Sequence, residues 1–143
     1  MGMKITGLNK FTATLRTRTT RILDGGAQVA EDAADYGVSL MREYIATRGT
    51  GYVGKGARAT PEGRIDTGQM YDAVKAGQVR RNPSGVAVSF GWGIDGSPVP
   101  SYFLTQENEP TPGGFPPMHA LLDATIHTRE YFYAELKKIA RRA

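Results

Sequence analysis

Apolar positions along the chain fall into three runs with different spacings. From Leu8 to Thr47, the residues Leu8, Phe11, Leu15, Ile22, Val29, Ala33, Tyr36, Leu40 and Tyr44 recur mostly at three, four or seven. That interval aligns side chains on one face of a 3.6-residue helix, so a long N-terminal helical segment is predicted. Asp24-Gly25-Gly26 interrupts it. Each glycine costs a helix interior about 1 kcal/mol relative to alanine, and a kink or a break is expected there. Unbroken, the segment would reach about 60 Å at 1.5 Å per residue, too long for a compact monomer and in need of a neighbour.

The second run changes period. Val86, Val88, Phe90 and Trp92 alternate with Ala87, Ser89 and Gly91, and a weaker strand pattern covers Val74 to Arg81. Asn82-Pro83-Ser84-Gly85 between them suits a type I turn, so a hairpin with one apolar face is predicted. A lone hairpin is barely stable and must pack on the helices, with its edges covered or paired to another chain. In the third run Leu121, Leu122, Ile126, Phe132, Tyr133, Leu136 and Ile139 make a broad helical face. Pro116-Pro117 are placed to start this helix, and Lys137, Lys138, Arg141 and Arg142 suit its C-terminal end. The fold class expected is α+β in a single domain over 1–143: a long N-terminal helical segment, a central antiparallel hairpin or small sheet, and a C-terminal helix packed on the sheet.

Asp66-Thr67-Gly68 precedes a short amphipathic piece that ends near Ala73. Asp66 can accept from the free amides of a first helical turn and Gln69 can reach back, as in a capping box. Ile65 and Met70 are placed as a hydrophobic staple around that cap. The competing reading is the Asp-Thr-Gly triplet of aspartic proteases, in which two such carboxylates share a proton and activate water. In that family the triplet follows an apolar strand and leads into another small residue. Here Arg64 precedes Ile65 and Gln69 follows Gly68, so the cap is preferred.

Composition narrows the chemistry. No cysteine is present, which excludes disulfides and thiolate metal sites. No apolar run approaches a membrane span and no secretory signal opens the chain, so a soluble protein made in the cytosol is expected. His119 and His127 stand eight apart with no third ligand, and no metal or cofactor site is expected. Two glycine- and proline-rich loops are predicted, over 48–64 and 93–116, the second carrying an amphipathic island, Ser101 to Glu107. The island is expected to form one or two helical turns that plug the sheet with Tyr102, Phe103 and Leu104. Within the first loop, Gly49 to Gly54 matches G-x-G-x-x-G and Gly49 to Lys55 matches the spacing of a phosphate-binding loop. No strand precedes it, and position 56 is Gly where a magnesium-binding hydroxyl is needed, so a mobile basic loop ordered by a partner is the preferred reading.

The net charge of +4 is distributed in blocks. Residues 1–21 hold five bases and no acid, 22–47 hold five acids against Arg42, and 48–81 hold seven bases against three acids. Residues 82–128 hold four acids and no Lys or Arg, and 129–143 hold five bases against two acids. Such blocks are what a subunit needs to meet its own copies in one orientation; the plain alternative is solvated faces.

Asp66-Thr67-Gly68 with Met70 and Val74, then Tyr102 with Glu107, then Pro116 to Ala120, occur in an order that resembles the small tail-completion or head-to-tail joining proteins of long-tailed bacteriophages, the group that includes minor tail protein Z of phage lambda. The likeness spans nearly the whole chain. It departs from the family at Met70, where leucine is usual, and at Asn108-Glu109-Pro110, where a glycine soon follows the acidic residue. The resemblance implies a virion structural protein and not an enzyme, forming a homo-oligomeric ring, a hexamer, at the neck. Its partners would be the head connector above, the tail terminator or tube below, and genomic DNA passing through the lumen without sequence-specific binding. Arg48, Tyr52, Lys55, Arg58, Arg64, Trp92, Glu107 and Glu109 are the expected inter-subunit or inter-ring contacts. The alternative function is a basic nucleic-acid-binding protein, supported by Arg16, Arg18, Arg21 and the Arg80-Arg81 pair but by no reader motif or aromatic platform.

Overall fold

The computed structural model describes residues 2–6, 10–16, 20–49, 68–111 and 114–142. Its architecture is α+β, as the hydrophobic pattern implies. The N-terminal part departs from the predicted helix. Strand β1 (Gly2–Thr6) pairs antiparallel with β2 (Lys10–Arg16), and β2 pairs antiparallel with β5 (Gly85–Gly91). Phe11 and Leu15 satisfy a helical spacing, but Phe11, Ala13 and Leu15 also alternate with β-branched Thr12 and Thr14. The period of two prevails because it buries all three apolar side chains on one face of a sheet.

Helix α1 (Thr20–Thr47) then runs as one element through Gly25-Gly26, where a kink or break was expected. A β-carbon at Gly26 would run into the Leu15 side chain, and one at Gly37 into the Phe90 ring. The glycines therefore set how closely helix and sheet approach, and the packing so gained offsets their helix cost. Leu23, Ala30, Ala33, Ala34, Met41 and Ile45 continue the same buried face.

The sheet runs in the order β1-β2-β5-β3, with β4 also on β5. The weak strand expected over 74–81 is split into β3 (Lys75–Ala76) and β4 (Arg80–Asn82), both antiparallel to β5. The predicted turn is present: the Asn82 side chain accepts from the Ser84 amide at 2.9 Å and β5 leaves directly after it. The inward set Val86, Val88, Phe90 and Trp92 is buried as its alternation requires. Phe90 meets Phe11 with ring centroids 5.3 Å apart, and Trp92 meets Phe103 at the same distance. Burying each such side chain contributes about 1.5–3 kcal/mol.

Helices α2 (Gln69–Asp72) and α3 (Ser101–Asn108) are short, and α4 (Ala120–Arg142) lies along α1 and reaches the sheet at β2. The last helix begins at Ala120, not at Pro116-Pro117. Among the described residues no helix is long and apolar enough to cross a membrane. The molecule is thus layered, with helices against one face of the sheet.

Candidate functional site

Tyr102, Glu107 and Pro116 to Ala120 are far apart in the chain but belong to one connected knot. Helix α3 opens after Pro100, whose carbonyl accepts from the Phe103 amide at 3.0 Å. Phe103 is the side chain of the predicted island that enters the core; Tyr102 remains 47% exposed, and its hydroxyl donates to Gln69 Oε1 at 2.6 Å. One turn on, Glu107 is 2% exposed. Its Oε1 accepts from the Leu121 amide at 3.0 Å and its Oε2 from the Leu122 amide at 3.1 Å. Glu107 thus caps α4 from another helix, supplying acceptors to amides that the helix itself leaves unpaired, and placing negative charge at the positive end of the helix dipole. Burial pushes its carboxyl above the ordinary glutamate range, and the Leu121 and Leu122 amides partly oppose the rise.

Two more bonds tie the corner between α3 and α4. The Met118 amide donates to Gln106 O at 2.8 Å and the His119 amide to Glu107 O at 3.2 Å. His119 adopts φ 49°, a left-handed conformation that turns the chain into α4. From the end of α1, Arg48 donates to the carbonyls of Met118 at 3.0 Å and His119 at 3.3 Å, and forms an ion pair with Asp123 at 2.5 Å. Its guanidinium lies over the Tyr44 ring, 3.9 Å from the centroid. Beside this corner lies an open depression of about 460 Å³ bordered by Arg48, Phe115, Pro117 and Asp123.

This geometry reassigns several residues expected to contact neighbouring subunits. Trp92 is fully buried and its Nε1 donates to Met70 O at 2.9 Å, so it anchors α2 inside the subunit. Glu107 is likewise internal. Both leave the contact set, because a side chain sealed in its own core has no surface to offer. Arg48 is about one-third exposed and already engaged, whereas Glu109 is exposed. Tyr52, Lys55, Arg58 and Arg64 lie outside the described residues, as do the phosphate-loop look-alike from Thr50 onward and Ile65, Asp66 and Thr67 of the predicted cap. What is described is that α2 starts at Gln69, preceded by Gly68 at φ 87° with no side-chain cap bond. The Gln69 side chain accepts from the Tyr102 hydroxyl, and Met70 is buried. His127 Nδ1 lies 3.7 Å from Glu130, on the exposed side of α4.

Sequence reasoning missed a second feature, the face of the sheet that no described helix covers. Phe11, Ala13 and Leu15 point inward, so Lys10, Thr12, Thr14 and Arg16 point out; Ala87 and Ser89 share that face, and Arg80 joins it as the direct partner of Ala87. The floor is small and polar, with Thr12 Oγ1 and Ser89 Oγ 2.8 Å apart. A groove of about 630 Å³ crosses it, bounded by Gly77 to Arg80 and by Ile94 and Asp95. Asp95 is held at a pKa of about 2 by the Ser97 amide and hydroxyl and then by Lys75, whose Nζ is 3.1 Å away. No ion pair among the described residues engages Lys10, Arg16 or Arg80. The alternation Lys-Phe-Thr-Ala-Thr-Leu-Arg over 10–16 was the available signal for this face.

Comparison of the chain with protein families, with curated proteins and with solved structures returns no match.

Proposed function

We propose that this chain is a structural subunit of a long-tailed bacteriophage virion, forming a ring at the junction of head and tail through which DNA passes. The observation that supports the reading best is the use made of the residues behind the resemblance. Tyr102, Glu107, Met118 and His119 spend their polar groups on tying α2, α3 and α4 together. A carboxylate that accepts from two backbone amides inside the subunit has the chemistry of a brace, not of an acid or base that meets substrate. Arg48 and Glu109 stand beside this brace, and the segments 48–64 and 93–116 are the ones proposed to carry contacts to rings above and below.

The ring is a heterologous interface repeated until it closes, so each subunit needs two different, complementary faces. The expected stoichiometry is six, and the lumen would not grip DNA, since each phosphate neutralised by Lys or Arg strengthens binding through counterion release and would brake ejection. Native mass spectrometry with negative-stain microscopy of the purified chain tests this. Closed rings with a central opening are expected. A strict monomer at every concentration, or tight duplex DNA binding with a steep salt dependence, would overturn it and favour a nucleic-acid-binding protein.

A further inference from the structure

The two outer surfaces of the layered fold differ in charge and shape. One is the open sheet face with its small floor and the cations Lys10, Arg16 and Arg80. The other is the outward side of α1, where Glu31, Asp32, Asp35 and Glu43 are all exposed at helical spacing, while Arg42, the one base between them, is turned away to donate to Val74 O at 2.7 Å beside the Tyr71 ring. None of these four carboxylates forms an ion pair with a described residue. Among the described residues, Asp24 earlier in the helix pairs with Arg81 of β4 and Asp32 accepts from Gln28 Nε2 at 3.0 Å.

From these observations we infer that α1 of one copy docks on the open sheet face of the next, acidic ridge against basic rim, as the repeating contact of the assembly. It rests on the reading of the chain as a ring subunit. Three features favour a second copy as the occupant. The faces are opposite in charge and belong to the same chain, so complementarity needs no other partner. They lie on opposite sides of the fold: α1 buries Gly37 against Phe90 of the sheet with its inner side and presents the ridge with its outer side. A contact between them is therefore head-to-tail, which is the geometry that closes rings. The sizes also agree. From Glu31 to Glu43 the ridge extends about 18 Å at 1.5 Å per residue, within the length of the seven-residue strands β2 and β5, about 23 Å at 3.3 Å per residue. Thr12, Thr14, Ala87 and Ser89 lack the bulk that would hold a helix away, and docking would cover the sheet as α1 covers its other side.

The absence of native cysteine allows a direct test. Thr12→Cys and Asp35→Cys variants, mixed under mild oxidation, are expected to give a disulfide-linked dimer that neither gives alone. Lys10→Glu with Arg80→Glu should weaken self-association about tenfold or more, and adding Asp32→Lys with Asp35→Lys should recover it. Circular dichroism of each variant verifies that it is folded. If the wild type assembles and the charge reversals leave assembly unchanged, this contact is wrong and the ring reading stands. If no assembly occurs at any concentration, both are wrong. Should the reversals on the sheet instead remove salt-sensitive binding to a DNA duplex while assembly persists, the basic face is a nucleic-acid surface and the inference falls.

Discussion

Gly37 shows how one missing side chain fixes the spacing of a fold. A β-carbon there would overlap the Phe90 ring, which is itself fully buried, so nothing nearby can yield. Gly25 faces a softer neighbour, because its β-carbon would lie 3.0 Å from Cδ1 of Ile139, a half-buried side chain near the end of α4. Alanine gains about 1 kcal/mol of helix propensity at either site, while overpacking a rigid core costs about 1–3 kcal/mol. Gly37→Ala is therefore expected to lose about 1–2 kcal/mol and Gly25→Ala to be within about 0.5 kcal/mol of wild type. Urea unfolding followed by circular dichroism distinguishes them; equal effects would show that α1 and the sheet are free to separate.

At the scale of elements, the fold depends on one helix capping another. Glu107→Ala should cost about 1–2 kcal/mol, since the Leu121 and Leu122 amides lose their acceptors. Glu107→Gln keeps an acceptor and discards the charge, so its loss should be smaller. The pH dependence has a defined sign. The Glu107 carboxyl is raised in the folded chain, so its contribution is fully present below the ordinary glutamate pKa and declines as pH rises through the folded value. The stability of the wild type relative to Glu107→Gln is expected to improve as pH falls across that window. Thermal melts of the two proteins from neutral to mildly acidic pH measure it, and an opposite trend would mean that the amides outweigh burial.

For the whole molecule, electrostatics connects charge blocks to assembly. A contact between the α1 ridge and the Lys10, Arg16 and Arg80 rim lies partly in solvent, where the screening length falls from about 10 Å at 0.1 M salt to about 3 Å at 1 M. Self-association, read by analytical ultracentrifugation, is expected to weaken by about tenfold or more between these concentrations. An association that strengthens with salt would place apolar surface at the interface instead, and the exposed Leu122 and Ile126 of α4 would be the surface to examine.

By itself the sequence determined the elements whose pattern is long or unambiguous. The alternation Val86 to Trp92, the Asn82 to Gly85 turn and the helical period of α4 are local properties, and each specifies its element without reference to the rest of the chain, although Leu122 and Ile126 of the predicted apolar face of α4 are exposed. It left open what depends on distant partners. Phe11 and Leu15 fit either period, and only pairing with β5 settled them as strand. Gly25 and Gly26 read as a break until the Leu15 and Ile139 side chains packed against them gave a reason for the missing β-carbons. Glu107 was legible as a residue of interest and not as a cap, because the Leu121 and Leu122 amides it holds lie fourteen and fifteen residues further along the chain. The open basic face is likewise a product of tertiary structure, since Lys10, Arg16 and Arg80 share a surface only once β2 and β4 flank β5.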